Sequence, residues 1–410
     1  MTGPLYELVS LPRKERKEKG IEYTPREIWS QPKIWLKNFE ILSRKKEEIR
    51  SFVESRILNK DNSQVVLSGA GSSAFIGTSA ELLLRKRWQK PVEARPNTDI
   101  VTNWDSIFLK HAETTLISFS RSGNSPEAVG AFMLADKFCG KISHIIVTCN
   151  KDGQLAKLGE GREDVLLLVL SEETNDQGLA MTASFTTMLM TAQLLGYILS
   201  IKDYGKIVQD LSKAAESVLK ESSALLKEIS ELDFRRSFFL GTGPLYGCAL
   251  ESHLKLQELT AGQIICKADS FLGIRHGPKA AVNDETLIVY YVSDNPFVQR
   301  YELDLMADMH ARDLGMRKIA VCKKRNKEIT DYVDHVIELD PDDVLSVPDY
   351  CRPIVDVTIG QTLGLFKSLS LGLKPDNPSE KGVITRVVEG VKIYDDETFK
   401  KRKRFVIVAG

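Results

Sequence analysis

The sequence predicts an α/β protein of two tandem domains, each a parallel sheet with helices on both faces. The first observation is a repeated order of motifs. Val65-Val66-Leu67 runs into Ser68-Gly69-Ala70-Gly71-Ser72-Ser73, and Phe238-Phe239-Leu240 runs into Gly241-Thr242-Gly243-Pro244. Leu116-Ile117-Ser118-Phe119 enters Ser120-Arg121-Ser122-Gly123-Asn124-Ser125-Pro126, answered by the run from Leu287 to Val292 entering Ser293-Asp294-Asn295-Pro296. Gly241 follows Gly69 by 172 residues, Ser293 follows Ser122 by 171, and Ile319 follows Ile145 by 174. Offsets that close this well mean a duplication. The second observation is that nearly unbroken apolar runs alternate with helical patterns, as in a parallel sheet covered on both faces. The third is size: 410 residues with 42% apolar side chains are enough for two cores.

Taken in chain order, residues 35–58 have helical periodicity with charges on one face and predict a long amphipathic helix. Strands are expected over 64–68, 114–120, 142–148 and 165–170, with helices over 74–88 and 126–139. The second helix is well punctuated: Ser125 can cap it, Pro126 fits its first turn, Glu127 suits its dipole and Gly140 ends it. A helix over 178–202 closes the first half, and one over 206–232 opens the second as 35–58 opened the first. The expected organisation is a helical extension (1–50), a first domain (51–204), a second (205–375) and a tail (376–410). After Pro375 the chain turns irregular before Val391-Lys392-Ile393-Tyr394. Such a tail either folds over a site or decorates the surface.

Composition narrows the function. Formal net charge is zero, so no global field recruits nucleic acid or a membrane surface. The basic runs Arg13-Lys14-Glu15-Arg16-Lys17 and Lys400-Lys401-Arg402-Lys403-Arg404 read as solvated segments. The longest apolar region, 187–201, is interrupted by Thr191, Gln193 and Gly196 and is too short and polar to span a bilayer. No signal-peptide pattern opens the sequence, and six scattered cysteines lack CxxC or metal-ligand spacing. A cytosolic protein with no metal is expected.

Ligands of open parallel sheets sit at the carboxyl ends of the strands. There the first half carries Ser72 and Ser73 after one strand, and Ser120, Ser122 and Ser125 after another. Gly69, Gly71 and Gly123 allow close backbone approach. Hydroxyls with helix-terminal N–H groups make a phosphate cradle, to which Arg121 could add a charge. A single Gly/Ser turn is more often just a tight turn, but two at this position favour a ligand. Neither loop is a GxGxxG or a Walker A, so a phosphorylated small molecule is expected rather than a nucleoside triphosphate.

In the second half, Glu251, Lys255 and Glu258 fall at i, i+4 and i+7 of one helix and share a face. They form either a solvated salt-bridge stripe or a catalytic set framed by Leu250, Leu254, Leu256 and Leu259. His276, before Gly277-Pro278, sits on a rigid loop suited to presenting an imidazole as general acid or base.

Together Ser-Xaa-Ser-Gly, Ala-Leu-Glu-Xaa-Xaa-Leu-Lys-Leu-Xaa-Glu and His-Gly-Pro, in this order over nearly the whole chain, resemble the sugar isomerase (SIS) domain family. The subgroup most like it comprises bacterial galactosamine-6-phosphate deaminase/isomerases, often labelled tagatose-6-phosphate ketose/aldose isomerases. The resemblance implies tandem flavodoxin-like domains acting on a phosphorylated hexosamine or hexose without a cofactor. By resemblance to the isomerase half of glucosamine-6-phosphate synthase, Ser73, Ser120, Ser122 and Ser125 hold the phosphate, with Ser72, Arg121 and Thr182 beside them. Glu258 moves a proton between C2 and C1, and His276 opens the ring. Glu251 and Lys255 match positions beside the catalytic glutamate. The resemblance also implies a homodimer or dimer of dimers with His276 shared across the interface. Arg121 stands where the synthase has a neutral amide, Ala183 replaces a lysine, and Lys381 and Arg386 are loose candidates for a C-terminal lysine. The alternatives are a tagatose-6-phosphate aldose/ketose isomerase without deamination and a phosphosugar sensor on the same fold, and retention of Glu258 and His276 argues against the sensor.

Overall fold

The computed structural model describes residues 3–379, 382–388 and 390–394; Lys381 and the basic run from Lys400 to Arg404 lie outside them. The first sheet holds β1 (Ser63–Ser68), β2 (Val92–Ala94), β3 (Glu113–Ser120), β4 (Ile142–Thr148) and β5 (Val165–Val169), all parallel, in the order β2-β1-β3-β4-β5. The second holds β6 (Arg236–Gly241), β7 (Ile265–Asp269), β8 (Thr286–Tyr291), β9 (Arg317–Cys322) and β10 (His335–Glu338), in the order β10-β9-β8-β6-β7. Counted from its own first strand, each sheet has the same order, that of doubly wound flavodoxin-like folds. Registers agree as well, Leu67 beside Ile117 in one sheet and Phe239 beside Val289 in the other.

Alternation along the strands divides the apolar residues between two faces. Val65, Leu67, Phe239 and Val289 join one core that runs through the whole molecule from Leu5 to Phe366. Val66 and Leu116 on one sheet, and Phe238, Leu240 and Ile288 on the other, face separate outer clusters. Helices fill the space between the sheets. The helix Ala183–Gly196 is buried along its whole length. The helix Pro244–Leu259 lies between Ser72–Trp88 and Pro353–Ser370, and glycines stand at the crossings. A Cβ on Gly247 would come within 2.6 Å of the Ser79 nitrogen, and one on Gly360 within 2.5 Å of Ser252 Cβ.

Several helices differ from expectation. The helix expected over 35–58 begins earlier, at Thr24, and ends at Arg44; Lys45 leaves helical geometry before Lys46–Val53 and a π-helical turn, Glu54–Leu58. The helix expected over 206–232 is Ile201–Glu221 followed by Ser223–Glu231, broken at Ser222. The helix expected over 178–202 is shorter because the Gln177 and Gly178 N–H groups are taken by Glu27 and the Leu179 N–H by the Asp376 carbonyl. No single described helix is long and apolar enough to cross a membrane.

Candidate functional site

The first cavity opens where β1 and β3 diverge at their carboxyl ends, the switch point of the first sheet. Gly71 enters the helix Ser72–Trp88 at φ 56°, and a Cβ on Gly69 would lie 2.3 Å from the Ser73 carbonyl carbon. Only glycine fits this sequence of turns. The cavity, about 150 Å³, is lined by Ser73, Ser120, Arg121, Ser122 and Ser125, by Asn97 and Glu127, and by Arg386, Val387 and Val388 from the tail. The tail therefore folds over this cavity. The Ser120 hydroxyl accepts from the Gly123 N–H at 3.1 Å and the Ser122 hydroxyl from the Asn124 N–H at 3.2 Å. With an acceptor position engaged, each hydroxyl is oriented and can still donate its proton to an anion. Ser125 caps the helix Pro126–Phe138 through the Ala128 N–H. Arg121 is buried; its guanidinium donates to the Leu179 carbonyl at 3.4 Å and to the Arg386 carbonyl.

The matching loop of the second half has the same frame and a different filling. Gly243 repeats the positive φ at 59°, and Asn295 caps the helix Pro296–Ala311 as Ser125 caps its counterpart. Here, however, carboxylates of the chain itself occupy the loop. Glu302 accepts the Ser293 N–H at 2.7 Å, and Asp349 accepts the Asp294 N–H at 3.0 Å and the Ser293 hydroxyl. Arg352, 3.6 Å from Asp349, binds the Val292 carbonyl and pairs with Asp356. An anion-binding geometry persists, and internal carboxylates satisfy it.

The helix Pro244–Leu259 brings the charged set inside. Glu251 and Lys255 are buried, and only Glu258 keeps partial access, its side chain 16% exposed. A solvated stripe is excluded for this face. Lys255 Nζ lies 3.2 Å from Glu251, pairs with Glu258, and donates to the Ser72 hydroxyl at 3.0 Å. Burial pushes the Glu251 carboxyl up to about 8, against the pull of Lys255. Burial opposes the charge on Lys255, but attraction by Glu251 and Glu258 outweighs it and raises its pKa. The arrangement is two glutamates bridged by one lysine, of which Glu258 stands at the edge of a second cavity of about 420 Å³. Glu258, Gln257, Val383 and Ile384 line that cavity.

Three residues sit apart from where the sequence put them. Ser72 does not line the serine-lined cavity; its hydroxyl holds Lys255 and so ties the first loop to the second-half helix. Thr182 is buried, bonded to Asp176, and lines neither cavity. His276 is exposed on its loop before Gly277 (φ 117°) and lines neither cavity. Ser73, Ser120, Arg121, Ser122 and Ser125 come together, and Glu251, Lys255 and Glu258 come together beside them. Asn97 escaped the sequence reading because the short strand before it, β2, did too. Its N–H bonds the Gly69 carbonyl at 2.7 Å, and its buried side-chain nitrogen has no partner among the described residues. No group of three His, Cys, Asp or Glu side chains among the described residues could hold a metal, and the six cysteines are free.

The SIS domain profile matches residues 57–197. D-galactosamine-6-phosphate deaminase AgaS of Escherichia coli is 36% identical over 379 residues, covering 91% of this chain and 95% of that protein. A solved Clostridium novyi structure superposes with a TM-score of 0.91 at 36% identity, over 96% of this chain and 100% of that one. The E. coli tagatose-6-phosphate ketose/aldose isomerase superposes with a TM-score of 0.84 at 34% identity, over 91% of this chain and 96% of that one. This chain belongs to the SIS domain family and carries the fold twice.

Proposed function

We propose that the protein is a phosphosugar deaminase/isomerase that converts galactosamine 6-phosphate and water to tagatose 6-phosphate and ammonia. The observation that carries this reading is the Lys255–Ser72 hydrogen bond, which joins a serine-lined anion cavity to a buried acid/base set. In this reading Ser73, Ser120, Ser122, Ser125 and Arg121 hold the phosphate. Glu258 takes the C2 proton of the open-chain aldehyde and returns it to C1 through an enolamine, leaving a C2 imine. Water adds to the imine carbon and ammonia leaves, giving the ketose. Lys255, held by Ser72 and Glu251, keeps the Glu258 side chain in place for its work as a base. Proton transfer alone suffices, so no metal or organic cofactor takes part.

His276 opens the sugar ring in this reading. It lines neither cavity of its own chain, and in this reading a neighbouring subunit of a homodimer or dimer of dimers supplies it. A cytosolic setting suits six free cysteines. The test is to incubate the protein with galactosamine 6-phosphate and assay ammonia and tagatose 6-phosphate together. Both products in equal amounts support the reading. Interconversion of tagatose 6-phosphate with its aldose, without ammonia from the amino sugar, would replace it with a plain isomerase working through an enediol. Glu258→Gln should lower turnover at least a hundredfold, the scale of a positioned acid/base group; undiminished ammonia release would remove Glu258 from the mechanism.

A further inference from the structure

The tail segment 382–388 passes both cavities. Val383 and Ile384 line the one that contains Glu258, and Arg386, Val387 and Val388 line the one between the serine loops. Its approach is pinned at Asp376, whose carboxylate accepts the Thr24 N–H and hydroxyl, each at 2.8 Å, and the Tyr23 N–H at 3.1 Å. Its far end is pinned by Arg386. Nε of that guanidinium donates to the Asp176 carbonyl at 2.8 Å, and Nη2 donates to Asn175 Oδ1 at 2.8 Å and again to the Asp176 carbonyl. Asp176 is a firm anchor, because its carboxylate accepts the N–H groups of Thr182, Ala183 and Ser184 at the start of the buried helix.

With the Arg386 side chain used in this way, its backbone carbonyl faces the Arg121 guanidinium and accepts from it. Among the described residues, neither arginine has a carboxylate within 4.0 Å. Burial, then repulsion from Arg121, lowers the pKa of Arg386. Two guanidiniums are thus held near one cavity whose wall also carries Glu127, while Asp176 and Glu27 attract Arg386 from beyond 4.0 Å; a phosphate in the cavity would give Arg121 a direct charged partner.

We propose that Arg386 is a positioning residue for phosphate recognition. By stapling the segment to Asn175 and Asp176, it sets the carbonyl that aims Arg121 and holds Val387 and Val388 over the cavity. The inference rests on the reading of this cavity as the phosphate site.

The test compares Arg386→Ala, Arg386→Lys and Ser122→Ala with the unmodified protein. Affinity for inorganic phosphate is read by calorimetry, and KM and kcat by ammonia release. Arg386→Ala should weaken phosphate binding and raise KM about ten- to a hundredfold, the range of one lost hydrogen bond to a charged group. The change in kcat should stay below about threefold. Arg386→Lys keeps the charge but cannot span both acceptors, so it should fall between; it decides the matter if the alanine variant does not fold. Phosphate affinity and KM within twofold of the unmodified protein in either Arg386 variant would overturn the proposal, as would a fall in kcat alone. If Ser122→Ala weakens phosphate binding while the Arg386 variants do not, the phosphate site stands and only this inference fails. If none of them changes phosphate affinity, the phosphate reading itself falls.

Discussion

Glu251 shows what a single position contributes beyond its charge. Its i, i+4 relation to Lys255 is written in the sequence, but its burial is not, and burial is what pushes its carboxyl up to about 8. An unfolded glutamate ionises near 4.3. Between the two values the folded chain holds a proton that the unfolded chain has released, so this group's stabilising contribution is complete at low pH and is lost as pH rises toward 8. Glu251→Gln imitates the protonated form and lacks this slope. The variant should gain stability relative to the unmodified protein as pH rises from 5 to 8, by at most about 1.4 kcal/mol per unit. Urea denaturation across that range measures it; parallel curves would mean that Glu251 is ionised in the fold. Ser122 makes the complementary case. Its hydroxyl sits at the loop the sequence marked, and Ser122→Ala should raise KM for the phosphosugar about tenfold with little change in kcat, as read from initial rates.

At the scale of elements, residues that act on their own backbone were legible. Ser125 caps its helix with Pro126 in the first turn, as the sequence indicates, and Asn295-Pro296 repeats the device. Gly71 and Gly243 take the positive φ that their turns require. What was not legible were helix limits set by distant partners. The segment 178–181 has the apolar pattern of a helix, yet Glu27 and Asp376, far away in the chain, capture its backbone N–H groups. The strand β2 went unnoticed because three residues beside an edge carry too short a pattern. The crossing at Gly247 was equally silent. Gly247→Ala would improve intrinsic helix propensity by up to about 1 kcal/mol, yet its Cβ would press into Ser79 and force the helices apart. Overpacking of this kind costs about 1–3 kcal/mol, so a net loss of roughly 1–2 kcal/mol is expected in urea denaturation. Activity should fall further, because the same two helices carry Ser72 and Lys255.

At the scale of the whole molecule, duplication supplied two loops of one frame, and the second is closed by Asp349 and Glu302. One phosphate per chain is therefore expected, and calorimetric titration should return a stoichiometry near one. A value near two would mean that these carboxylates yield to the ligand. The sequence by itself determined the doubled parallel α/β architecture, because apolar runs, their punctuation and their spacing are local and repeat. It also marked Ser73, Ser120, Arg121, Ser122 and Ser125, because hydroxyl-rich turns at strand ends announce themselves in a few residues. Only the tertiary structure decided that Ser72 belongs to Lys255, that Thr182 belongs to Asp176, and that Arg386 reaches the cavity. The Ser72–Lys255 contact joins two packed helices 183 residues apart, and Arg386 meets Asp176 from 210 residues away; the Thr182–Asp176 bond is local, but the turn that forms it is held by Glu27 and Asp376 from far along the chain. A side chain's partner across such an interface depends on packing, which no local pattern encodes.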